Sequence, residues 1–131
     1  MSKIKVHIIN YESGNLYSIQ RAIKLLGYEP LIISEPDLLK NANKVIIPGV
    51  GSFNQGISNL KKKNFDLAIF EYVKTGRDLL GICLGMQLFM NESCEFVKNK
   101  GLGLIDGIVK NLDFKIKNPV PHIGWNNISI S

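Results

Sequence analysis

Short apolar runs and amphipathic stretches alternate along the chain, and each alternation predicts a strand followed by a helix. Lys5-Val-His-Ile-Ile-Asn10 is a buried first strand. A turn at Gly14 leads into a helix whose apolar positions Leu16, Ile19, Ile23 and Leu26 repeat at helical spacing, and Gly27 ends it. Pro30 to Ser34 predicts the second strand, Pro36 to Leu39 a short helical turn, and Lys44 to Pro48 the third strand. Gly49, Gly51 and Gly56 then predict a loop. Phe65 to Lys74 predicts a helix with Ala68, Ile69, Tyr72 and Val73 inward, closed by Gly76, and Asp78 to Ile82 is a fourth strand. Leu84 to Asn91 is expected to be helical, ending near Ser93. Gly101 and Gly103 mark a loop, Leu104 to Leu112 alternates like a strand, Asn118 to Pro121 is irregular, and Ile128 to Ile130 starts a further strand.

Strands that are apolar throughout need cover on both faces, so the pattern predicts an α/β fold: a mostly parallel sheet with helices on both sides. At 131 residues and 45% hydrophobic, the chain suffices for one domain with a substantial core, taken as residues 1–131. In open sheets of this kind, ligands sit beyond the carboxyl ends of the strands. Three loops qualify: Tyr11 to Asn15, Pro48 to Phe53, and Gly81 to Gln87.

Charge alters this picture little. The net charge is +5, but the lysines are spread along the chain except at Lys61-Lys62-Lys63, which suits a solvated helix end. No aromatic residues interleave with them to make a stacking platform, so a nucleic-acid partner is not expected. The N-terminal stretch is too short and too quickly polar for a signal peptide or a membrane span. Cys83 and Cys94 would lie roughly 16 Å apart on one helix, too far for a disulfide. Free thiols and a reducing, cytoplasmic setting follow.

Cys83 carries the candidate chemistry. In Gly81-Ile-Cys-Leu-Gly85 it falls where a strand gives way to a helix, with a small residue on each side. A nucleophile elbow needs that arrangement, because the turn is tight and neighbouring backbone passes close. Unpaired N–H groups at a helix start would favour the thiolate, and the Leu84 N–H would face an oxyanion forming beside the sulfur. A buried structural cysteine satisfies the same local spacing, which leaves both assignments open. Pro48-Gly-Val-Gly51 offers backbone N–H groups straight after a strand, for an oxyanion or for a phosphate; the lysine of a phosphate loop is missing.

Taken together, PGVGSF, GICLGMQ, GLGLIDG and PHIGWN, in this order and spacing, resemble the class I glutamine amidotransferases, over nearly the whole chain. PHIGWN narrows the resemblance to the glutaminase subunits of imidazole glycerol phosphate synthases. It implies a flavodoxin-like fold and hydrolysis of glutamine to glutamate and ammonia through a cysteine thioester. The ammonia would pass to a barrel-type cyclase subunit in histidine biosynthesis, with no cofactor or metal. By position, Cys83 would be the nucleophile, and Val50 or Gly51 with Leu84 would supply the oxyanion hole. Gly49, Gln87 and Glu95 would contact glutamine, and Asn15 and Trp125 would face the partner.

The same resemblance places a histidine and a carboxylate, in a His-x-Glu segment, behind the cysteine. This chain has only His7, inside the first strand, and His122, which belongs to the PHIGWN motif. General acid/base help is worth about 10² to 10⁴ in rate. The expectation is therefore a fragment of a longer enzyme that is slow or inactive alone. The alternatives are an amidotransferase feeding a sugar acceptor in surface-polysaccharide synthesis, a non-catalytic partner-binding module, and an unrelated small cysteine hydrolase.

Overall fold

The computed structural model describes residues 3–112 and 120–130. Its first sheet contains β1 (Lys5–Ile9), β2 (Glu29–Ile33), β3 (Lys44–Ile47) and β4 (Asp78–Gly81), all parallel, in the order β2-β1-β3-β4. The chain adds β2 on one side of β1 and then crosses to add β3 on the other. That reversal falls between β1 and β3, and in doubly wound sheets ligands bind beyond the carboxyl ends of the strands at such a point. The expected mostly parallel, helix-flanked architecture is thus present, in the strand order of flavodoxin-like folds.

Alternation along the strands divides the core. Ile9, Ile33, Val45 and Ile47 face α2 (Phe53–Lys62) and α3 (Phe65–Lys74), whose Phe53, Ile57, Leu60, Phe65, Ile69 and Tyr72 are buried against them. Val6, Ile8 and Ile46 point the other way, toward α1 (Leu16–Leu25). Asn15 caps α1 by accepting from the Ser18 N–H at 3.1 Å, yet no residue of α1 is fully buried. Leu26, expected on the apolar stripe, stands beyond the last turn and is exposed; Val73 likewise turns outward from α3.

Three expectations about elements fail. The stretch containing Gly56 is not a loop but α2, started by Ser52, whose hydroxyl accepts from the Gln55 N–H at 3.3 Å. Gly56 lies inside that helix because a Cβ would come to 3.0 Å of Leu84 and press on Leu88. The predicted helix Leu84–Asn91 is one turn, α4 (Leu84–Gln87), after which Met90–Ser93 forms β5. β5 pairs antiparallel with β6 (Asn99–Lys100) and parallel with β7 (Ile105–Val109), the latter within the strand expected at 104–112. Ile128 to Ile130 form no strand and are exposed where described. The irregular stretch expected at 118–121 falls partly outside the described residues. No helix among the described residues is long and apolar enough to cross a membrane.

Candidate active site

The turn from β4 into α4 is held against β3. The Ile82 N–H donates to the Ile47 carbonyl at 2.9 Å, and the next residue, Cys83, has φ 55° and ψ −117°. A side-chain-bearing residue held there costs on the order of 1–3 kcal/mol, which surrounding packing must sustain. The glycines on either side explain how it does so. A Cβ on Gly85 would collide with the Ile47 carbonyl oxygen, and one on Gly81 would come to 2.6 Å of the Met86 Cα. Both glycines are therefore required by close backbone approach, while Cys83 itself is exposed. Helix α4 is too short to lend much dipole; what Cys83 has beside it is the local backbone of Leu84 and Gly85.

The Pro48-Gly-Val-Gly51 loop leaves the end of β3 directly beside this turn. Leu84, the expected oxyanion donor, gives its N–H to the Gly49 carbonyl at 3.3 Å. Gly49 is buried so tightly that a Cβ would lie 2.8 Å from both the Leu84 Cβ and the Gly85 nitrogen. Val50 and Gly51 project to solvent, and Gly51 has φ 105°, a conformation that favours glycine. Beneath them sits Tyr11, fully buried, whose hydroxyl donates to the Pro48 carbonyl at 2.6 Å. Burial pushes its phenol pKa well up, and the proximity of Cys83 adds to that shift. Tyr11 lies in a loop the strand pattern marks, but an aromatic just after a strand reads as core; the adjacent Gly14 turn was the available signal.

Of the other candidates, Gln87 ends α4 and is half-buried. Glu95 lines a cavity of about 140 Å³ with Ser52, Phe53, Asn54, Ser93, Phe96, Val97 and Asn99, so it adjoins the same loop across the start of α2. Its N–H donates to the Ser93 hydroxyl at 3.3 Å, and its carbonyl accepts from Asn111 at 2.8 Å. Asn15 is exposed as the α1 cap, and Trp125 is fully exposed. Cys94 follows β5 rather than sharing a helix with Cys83; both are free. His7, in β1, has its Nδ1 buried without a hydrogen-bond partner among the described residues. Burial, opposed by a backbone bond at Lys44 and reinforced by Lys5, lowers its pKa from the ordinary 6.5. Lys63, at the end of α2, pairs with Glu12 at 3.0 Å. A larger cavity of about 470 Å³, between Pro36–Lys40 and α3, extends to Arg77 and includes none of the candidate residues.

Residues 5–120 match the CobB/CobQ-like glutamine amidotransferase domain. The imidazole glycerol phosphate synthase subunit HisH of Helicobacter hepaticus is 42% identical to this chain, over 100% of the chain and 65% of that protein. The subunit of the same name from Carboxydothermus hydrogenoformans is 43% identical, over 92% of the chain and 60% of its own length. The chain thus spans about three fifths of the length of these relatives. A solved glutamine amidotransferase superposes with TM-score 0.71 at 20% identity, covering 86% of this chain and 59% of that one, which is a likeness of fold.

Proposed function

The chain belongs to the CobB/CobQ-like glutamine amidotransferase family, and from that membership we propose that it carries the glutamine site of an imidazole glycerol phosphate synthase glutaminase, with Cys83 as nucleophile. The Cys83 thiolate attacks the side-chain amide carbon of glutamine. The carbonyl π electrons move onto oxygen, giving a tetrahedral oxyanion; its collapse breaks the C–N bond, and the nitrogen takes a proton and leaves as ammonia. The resulting γ-glutamyl thioester is cleaved by water to glutamate and the free thiol.

One observation carries this reading: the strained backbone of an exposed Cys83, locked between two glycines that admit no Cβ. A merely structural cysteine has no use for that strain. Leu84 and the Val50–Gly51 segment are the oxyanion donors in this account. Because the Leu84 N–H is engaged by the Gly49 carbonyl, the loop must shift when the oxyanion forms, and Gly49 and Gly51 give it the conformational freedom to do so. Gln87 and Glu95 would hold the glutamine, Glu95 through the α-ammonium. Asn15 and the exposed Trp125 would face a barrel-type cyclase subunit that consumes the ammonia; a fully exposed tryptophan suits an anchor at such a contact.

The test is alkylation by a glutamine analogue bearing a diazoketone in place of the carboxamide, with peptide mass analysis. Label on Cys83 and not Cys94, slowed by added glutamine, is the expected result. Equal labelling of both thiols, or no protection by glutamine, would refute the assignment.

A further inference from the structure

Tyr11 has no place in the chemistry above, yet it is the group beneath the loop on which that chemistry depends. β1 and β3 are neighbours in the sheet, and Tyr11 and Pro48 lie just past their carboxyl ends. The Tyr11 ring is fully buried, and its hydroxyl donates to the Pro48 carbonyl at 2.6 Å. The same hydroxyl fills the space that a Cβ on Gly49 would need. Two successive carbonyls are therefore tied down, that of Pro48 by Tyr11 and that of Gly49 by the Leu84 N–H at 3.3 Å.

These two ties are not equivalent. The bond from Leu84 is long and must open if that N–H is to serve an oxyanion, whereas the bond from Tyr11 is short and buried. We propose that Tyr11 is a positioning residue for the glutamine site, its hydroxyl anchoring the Pro48 carbonyl so that loop movement is confined to Gly49–Gly51 and the loop N–H groups face the carbon bound at Cys83. This rests on the reading of Cys83 as the glutamine nucleophile. The raised phenol pKa is consistent with it, since a hydroxyl that keeps its proton remains a donor across the neutral range. Without the hydroxyl, the Pro48 peptide is free to rotate with the rest of the loop, and fewer loop conformers present their N–H groups to the substrate.

Tyr11→Phe keeps the ring and removes the donor. Alkylation of Cys83 by the diazoketone analogue, in which the thiolate bonds to the methylene carbon as N₂ leaves after protonation, is followed to saturation in wild type and Y11F. The saturating rate is expected to fall about tenfold in Y11F, on the order of one hydrogen bond's worth, with the half-saturating concentration unchanged. Iodoacetamide, which needs no oxyanion donor, should alkylate Cys83 within about twofold of the wild-type rate. Equal slowing with both reagents would show that Tyr11 only supports the fold, and no slowing with either would also overturn the proposal. Failure of the wild-type chain to react with the analogue, while iodoacetamide still labels Cys83, would instead remove the glutaminase reading. A measurement on the wild type alone complements these. The phenolic proton of Tyr11 should be slowly exchanging by NMR and remain so after Cys83 is alkylated; its loss on alkylation would contradict an anchor that persists through loop movement.

Discussion

The two faces of the four-stranded sheet are unequally closed. Toward α2 and α3, Ile9, Val45 and Ile47 meet six buried helical side chains, and the packing extends to Leu84, Leu88 and Phe89 beyond the elbow. Toward α1, Val6, Ile8 and Ile46 are buried, but Leu80 is 54% exposed, and a groove of about 360 Å³ runs between Ile23, Leu26 and β3–β4. The candidate site is assembled from the closed face. Tyr11, Phe53, Leu84 and Leu88, which position its loops and turn, all belong to that core. Catalytic geometry of the kind proposed needs a backbone held off its preferred conformations, and only the well-packed side can sustain such strain.

Perturbing the two faces should therefore give unequal costs. The largest effect is expected for Phe65→Ala, which empties a fully buried position between α3 and the sheet: about 3–5 kcal/mol of stability in urea unfolding. Leu80→Ala, on the open face, should cost about 1 kcal/mol or less in the same assay. Similar costs for the two would erase the distinction. Next in size is Gly85→Ala, whose Cβ meets fixed backbone of β3 rather than a movable side chain. A loss of about 1–3 kcal/mol is expected, together with loss of selective Cys83 alkylation. A variant of wild-type stability that still reacts would show that the elbow can relax.

The smallest expected effect is one of pH, and it locates a flaw in the closed face. His7 shares its side of β1 with Ile9 and presents a buried Nδ1 with no partner among the described residues. Its folded pKa lies below the ordinary 6.5, so the unfolded chain takes up the proton more readily. The neutral ring's contribution is complete above about pH 6.5 and is lost as the pH falls through the lower folded value. The urea midpoint should decline from pH 7.5 to 5.5, and His7→Phe should flatten that decline. An unchanged slope in the variant would assign the acid sensitivity to other groups.

The same contrast explains what could be read from the chain beforehand. The four parallel strands and the helices at 16–25 and 65–74 were legible because their apolar runs and helical spacings are unbroken. Helix α2 was not, because its glycine, normally a breaker, is there for contact with Leu84 and Leu88; Phe53, Ile57 and Leu60 behind the Ser52 cap were the signal that outweighed it. Helix α4 was over-extended because Leu88 and Phe89 continue its apolar pattern while serving the core below the elbow. At the site, glycine spacing marked Cys83 as a candidate elbow cysteine while leaving a structural cysteine equally open. The engagement of the Leu84 N–H by Gly49 and the Tyr11 bond to Pro48 depend on how β1, β3 and β4 are laid side by side, which no local pattern contains.

The central claim is that Cys83 is acylated by glutamine. It is tested most directly by incubating the chain with glutamine, quenching in acid and analysing the cysteine peptides by mass spectrometry. The account predicts a γ-glutamyl adduct on the Cys83 peptide, removed by hydroxylamine as a thioester should be, and absent from the Cys94 peptide. An unmodified Cys83 after prolonged incubation with saturating glutamine would contradict it.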